Sequence, residues 1–253
     1  MTLRLPARAT RRRATLRRSV RLFREFGHEQ PDPARFYSAL ASDSVAQLAE
    51  YASLSGARLL DVGGGPGYFR DAFEAAGARY IALEADVGEL AGLRELGDIA
   101  GPTVLGSGME LPFADACVDV CYSSNVLEHV EEPWRMAEEM VRVTRPGGTV
   151  YLSWTLWYGP WGGHETAPWH YFGGAYARRR YRRRHGKEPK NKFGESLFAL
   201  TVRDGLDWAG RQQHADVVAI RPRYNPWWSW WLLRVPLLRE LVTWNLVIVL
   251  RRR

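Results

Sequence analysis

The segment that most constrains this chain is Leu59-Leu60-Asp61-Val62-Gly63-Gly64-Gly65-Pro66-Gly67-Tyr68-Phe69. Residues 59–62 read as a short buried strand, glycines at 63, 65 and 67 allow a turn at positive φ, and residues 68–76 read as a helix. Bare backbone at a helix N-terminus is a ligand-binding surface. A dinucleotide is one occupant to weigh, and three residues argue for another. Asp61 stands before the first glycine, where its charge repels a pyrophosphate and attracts a cation. Pro66 withholds an N–H where a phosphate cradle needs one. Glu84 closes the next apolar run, 80–84, where a carboxylate accepts one hydrogen bond from each of two neighbouring ribose hydroxyls.

Short apolar runs then alternate with helical stretches. Strands are expected at 59–62, 80–83, 103–105, 118–123, 150–154, 215–221 and 244–250, and helices at 68–76, 87–96 and 133–143, with an earlier helix at 43–51. This is the βαβ pattern of a parallel sheet covered by helices on both faces. The N-terminal residues 1–56 are expected to form a basic helical lid, and 57–253 one domain. Two insertions interrupt that domain: 155–200 after the fifth strand, with a basic helix at 175–185, and 226–241 between the sixth and seventh. The apolar stretch 227–250 is broken by Arg234, Pro236, Arg239 and Glu240, so no spanning helix is expected. The N-terminus lacks the apolar run of an export signal, and Cys117 and Cys121 supply neither a disulfide framework nor a thiolate metal site. A cytoplasmic location is expected.

Asp61-x-Gly63-x-Gly65-x-Gly67 with Glu84 resembles the S-adenosylmethionine site of class I methyltransferases. Downstream, Leu111-Pro112-Phe113, Val118-Asp119-Val120, Asn125-Val126-Leu127-Glu128-His129 and Arg142-Val143-Thr144-Arg145-Pro146-Gly147-Gly148 follow in the order of the small-molecule branch called methyltransferase type 11. The whole chain is similar to uncharacterised actinobacterial methyltransferases. The resemblance implies a Rossmann-like α/β fold with a seven-stranded, mostly parallel sheet, and S-adenosyl-L-methionine as cofactor. It further implies that Asp61, Gly63, Gly65 and Gly67 lie under the methionine moiety, that Glu84 holds the ribose, and that Ser107, Gly108 and Met109 border the adenine. Ser107 stands where the family usually has an acid. Asn125 falls near the cofactor's amino-acid end.

Methyl transfer to a hydroxyl needs a base, and His129, His164 and His170 are the candidates; His28 sits in the expected lid. His129 follows the fourth strand, while His164 and His170 lie in an insertion that overhangs the carboxyl ends of the sheet. The resemblance implies that in some relatives the Glu128-His129 pair helps bind a divalent metal, but the further acidic ligands expected nearby are not evident in the sequence, and no metal is expected.

Charge is unevenly spread. Residues 1–24 hold nine Arg and no acid, 178–187 six Arg and one Lys, whereas 61–140 hold sixteen acids against four Arg. Basic margins around an acidic centre suit an anionic partner. Trp227, Trp228, Trp230 and Trp231, with Arg234 and Arg239, read as an interfacial anchor, the alternative being a connection between the sixth and seventh strands that packs on the sheet. The expected activity is O-methylation of a small glycan- or lipid-linked acceptor at the inner face of the plasma membrane, with an anionic membrane surface as partner. An RNA methyltransferase and a non-catalytic cofactor-binding module are the alternatives; no RNA-binding module is recognisable, so nucleic acid is not expected as partner.

Overall fold

The computed structural model describes residues 13–28, 31–65, 67–85 and 102–253. Two helices come first. Helix α1 (Leu16–Phe26) starts where the Thr15 hydroxyl accepts the Arg18 N–H, and α2 (Pro33–Leu48) where the Asp32 carboxylate accepts the Arg35 N–H with Pro33 in the first turn. The expected helix at 43–51 is thus the C-terminal part of a longer one. Its apolar stripe, Phe36, Leu40, Ala41 and Leu48, extends back to the capped proline.

Seven strands follow, as expected: β1 (Arg58–Val62), β2 (Arg79–Glu84), β3 (Thr103–Leu105), β4 (Val118–Ser124), β5 (Thr144–Thr155), β6 (Ala215–Pro222) and β7 (Asn245–Arg252). They form one sheet in the order β3-β2-β1-β4-β5-β7-β6. The first five are parallel, and β7 runs antiparallel between β5 and β6. The remaining helices are α3 (Arg70–Ala75), α4 (Pro133–Val143), α5 (Gly174–His185), α6 (Val202–Arg211) and α7 (Leu238–Val242). Helix α6 was not foreseen, although a reciprocal Thr201–Asp204 capping box marks its start. The stretch expected as a helix at 87–96 lies outside the described residues.

Alternation along the strands divides the interior between the two faces of the sheet. Leu60, Val62, Cys121, Val150, Leu152 and Trp154 pack with Met136 and Met140 of α4 and Trp208 of α6. Leu59, Val120, Tyr122 and Tyr151 pack with Leu40 of α2 and Phe73 of α3. Helices therefore cover both faces, and β1 and β4 are buried on each side.

The N-terminal helices are fastened to this body by charge. Arg18 donates to both Asp43 oxygens at 2.6 Å and to the Arg223 carbonyl at 3.0 Å. Burial pushes the Asp43 carboxyl up, but the Arg18 hydrogen bonds and charge, aided by Arg223, hold it below its ordinary value. Removing one member of such a pair strands the others in the interior. Asp43→Ala is expected to lower unfolding stability in urea by roughly 3 kcal/mol. Arg135→Ala, which breaks an exposed pair with Glu132, should change it by less than about 1 kcal/mol; equal effects would deny the Arg18–Asp43 contact this role.

Candidate functional site

The turn after β1 is shaped by what lies under it. Gly63 has φ +78°, and a Cβ there would come 2.5 Å from Val126 Cγ2; one at Gly64 would come 2.9 Å from the Tyr80 hydroxyl. Side chains at these positions would push the loop off the sheet. Among the described residues nothing lies within 4 Å of where a Cβ on Gly65 (φ +54°) would stand, so the outer side of the turn is clear of them. Gly67, also at positive φ, donates its N–H to the Gly64 carbonyl at 3.1 Å. Pro66 lies outside the described residues.

Beneath the loop Asp61 is 2% exposed and accepts a 2.6 Å hydrogen bond from the Tyr80 hydroxyl. Burial, with the Glu84 charge added, pushes the Asp61 carboxyl up to about 7, against the opposing pull of Tyr80 and Arg70. Glu84 ends β2 and reaches across: one oxygen accepts the Gly65 N–H at 2.9 Å, the other the Ala85 N–H at 2.9 Å. Two carboxylates thus line one glycine turn, a poor environment for an anion and a good one for a cation. After β3, the Ser107 hydroxyl accepts the Met109 N–H at 3.2 Å, a Cβ at Gly108 would sit 3.3 Å from Val62 at the end of β1, and Met109 packs on the core.

The neighbouring strand ends supply the second half. Asn125, at φ +58°, follows β4; its N–H donates to the Ser153 carbonyl at 2.8 Å and its side-chain oxygen accepts from Asn245 Nδ2 at 2.7 Å. A short 3-10 turn, Leu127–His129, comes next. Glu128 is 1% exposed, with one oxygen accepting the Thr155 N–H at the end of β5 and the other without a hydrogen-bond partner. His129 Nδ1 lies 2.7 Å from the Ser196 carbonyl. A carbonyl only accepts, so Nδ1 carries a proton and this hydrogen bond orients the ring.

The insertion brings a second imidazole to the same place. His164, at φ +48°, lies edge-on to His129 with ring centroids 5.0 Å apart. Burial, then the charge of His129, lowers its pKa to about 4, so the ring is neutral near pH 7. His170 does not join them. It is fully buried beneath Gly163, where a Cβ would come 2.5 Å from its ring, and its Nε2 is 3.2 Å from the Gly159 carbonyl. That position supports the loop from which His164 projects. His28 lies in the turn that follows α1.

The structure therefore gathers Asp61, the loop glycines and Glu84 at the ends of β1 and β2, and His129 and His164 at the ends of β4 and β5. Sequence reasoning missed Tyr80 and Gly64. Tyr80 was within reach: Tyr80, Ala82 and Glu84 share one face of β2, and Ala82 is in register with Asp61.

Comparison with known proteins agrees with this geometry. Residues 60–152 match the family described as methyltransferase domain. An uncharacterised methyltransferase of Mycobacterium marinum is 53% identical over 250 residues, covering 96% of this chain and 97% of its own. Another, from Mycobacterium leprae, is 54% identical over 248 residues, covering 95% and 91%. In fold the chain is similar to a S-adenosylmethionine dependent methyltransferase from Mesorhizobium loti, with a TM-score of 0.56 at 19% identity, over 83% of this chain and 98% of that one.

A cationic ligand prefers Asp61 ionised. Because that carboxyl titrates near 7 among Tyr80, Glu84 and Arg70, affinity for S-adenosylmethionine is expected to rise roughly tenfold from pH 6 to pH 8. Calorimetry on the native chain and on Asp61→Asn checks this: the variant should bind weakly and without that slope, and an unchanged slope would remove Asp61 from the site.

Proposed function

The chain belongs to the family of these mycobacterial proteins and is a class I S-adenosylmethionine-dependent methyltransferase, and on that premise we propose that it methylates an oxygen of a small glycan- or lipid-linked acceptor at the cytoplasmic face of a membrane. The cofactor half rests on fit. The open outer side of Gly65, the buried Asp61 and the Glu84 carboxylate suit a cationic adenosine compound. In this proposal Asp61 offers charge to the amino-acid end, Glu84 accepts from the ribose hydroxyls, Ser107, Gly108 and Met109 border the base, and Asn125 stands beside the amino-acid end. Bound there, S-adenosylmethionine supplies a methyl group activated by a positively charged sulfur. Glu128, His129 and His164 face the acceptor, orient its hydroxyl and govern the departure of its proton. His170 serves this arrangement by holding the loop, and α1 with α2 forms a lid over the site.

The observation that carries the acceptor class is an exposed apolar and basic face. Trp227, Trp228 and Trp231 are 41%, 55% and 57% exposed, whereas Trp230 is buried. The Trp227 N–H donates to the Ala14 carbonyl at 2.8 Å, joining this segment to the start of α1. Helix α1 itself exposes Leu16, Val20 and Phe23 among Arg17, Arg21 and Arg24. Tryptophan beside arginine and leucine suits the headgroup zone of an anionic bilayer, into which such a surface lies without crossing. No helix of the described residues is long and apolar enough to cross a membrane.

Incubation with methyl-labelled cofactor and separated lipid, glycan and RNA fractions tests the acceptor. Label is expected in the lipid or glycan fraction; label in RNA alone would overturn the proposal. Replacing Trp227, Trp228 and Trp231 together by Ser should reduce cosedimentation with anionic vesicles at least severalfold, and undiminished cosedimentation would refute the membrane face.

A further inference from the structure

Glu128, His129 and His164 each direct one ligand atom into a common space, with all three atoms within 4.8 Å of one another. They come from two segments 35 residues apart in number, a 3-10 turn after β4 and the glycine-rich insertion after β5, so no local turn accounts for the meeting. We propose that these three side chains form a binding site for one divalent transition-metal ion at the acceptor side of the sheet. The proposal deepens the methyltransferase function above and rests on it for its chemical consequence, while the ion site itself stands on these side chains.

The independent observation is the state of Glu128. It is 1% exposed, one oxygen is taken by the Thr155 N–H, and among the described residues the other has no hydrogen-bond partner. Among the described residues it forms no ion pair with Arg or Lys. A buried carboxylate oxygen left this way carries a desolvation cost that a bound cation removes.

The imidazoles are prepared in the same sense. The Ser196 carbonyl fixes the proton of His129 on Nδ1, which orients the ring and leaves Nε2 as the ligand atom, the arrangement by which an outer hydrogen bond sets a metal-bound histidine. His164 Nδ1 is buried and without a hydrogen-bond partner. Metal–ligand bonds of about 2.0 to 2.2 Å would draw the three atoms to roughly 3.5 Å apart, a contraction of about 1 Å that side-chain rotation supplies.

The donor set selects the ion. Two imidazole nitrogens and one carboxylate suit Zn2+, Co2+ or Fe2+, whereas Mg2+ and Ca2+ prefer all-oxygen surroundings. Three protein ligands leave at least one coordination position open, the form of catalytic and not of structural sites. An ion there lowers the pKa of an acceptor hydroxyl, which loses its proton to water. The freed electron pair forms the new bond to the methyl carbon while the carbon–sulfur bond breaks onto sulfur, leaving a neutral thioether. Neither histidine then has to take up the proton. This departs from the expectation of a metal-free site: the partner of the Glu128-His129 pair is not a further acid but His164, which arrives from the insertion.

The test uses the full chain without an affinity tag, dialysed against a chelator and titrated with Co2+ while visible absorption is followed. One equivalent per chain is expected to develop ligand-field bands, and Zn2+ should displace it. Glu128→Gln, His129→Ala and His164→Ala should each weaken Co2+ binding at least tenfold while S-adenosylmethionine affinity, measured separately by calorimetry, stays within about twofold. No bands, or bands unaltered in the variants that fold, would overturn the site. Loss of cofactor binding by the native chain would instead overturn the methyltransferase function, so the two failures are distinct.

Discussion

A reversal in the path of the chain through its sheet governs where chemistry can occur. From β1 the strands proceed outward to β2 and β3 on one side, and the chain then returns to lay β4 and β5 on the other. The connections leaving β1 and β4 consequently part to opposite faces, and the crevice between them opens at the carboxyl ends of both strands. Gly63 packs against Val126 across that gap, so the glycine loop after β1 and the turn that carries Glu128 and His129 position each other. Asp61, Glu84 and Glu128 are all buried at these strand ends, where low polarity strengthens the attraction of a carboxylate for a cation.

The crevice is stiffened from behind. Arg223, just past β6, is 1% exposed and donates to the hydroxyls of Ser44, Ser124 and Ser153, tying α2, β4 and β5 to one guanidinium. Ser124 immediately precedes Asn125, whose side chain is in turn held by Asn245 of β7. A buried polar network of this kind allows few alternative arrangements. It also links the N-terminal helices to the acceptor turn, since Arg18 bonds both Asp43 and the Arg223 carbonyl.

Much of this was legible in the residues. Strand positions followed from runs such as Leu59 to Val62 and Val118 to Ser123, because each is short, apolar and bounded by turn residues. Asp61 and Glu84 could be singled out because a carboxylate beside a glycine turn has few structural uses. Less accessible was anything that depends on two segments meeting. The approach of His164 to His129 requires the Ser196 carbonyl, the tight packing of Gly163 on His170 and a left-handed residue, none of which has a local signature. His170 looks equivalent to His164 for the same reason: the sequence shows two histidines in one loop, and only packing separates the buried His170 from His164, which meets His129. Helix α2 was placed too late because its N-terminal half was judged by periodicity without its Asp32-Pro33 start.

Strand β7 has a consequence for how the molecule is made. It lies inside the sheet, flanked by β5 and β6, although it is the seventh strand in sequence. While the chain is being synthesised, β5 therefore carries an unpaired edge until residues 245–252 become available, and Asn125 lacks the Asn245 contact that holds it. Assembly of this half of the sheet is thereby tied to a late, long-range pairing, a topology that folds slowly and leaves a sticky margin exposed to other nascent chains in the interval.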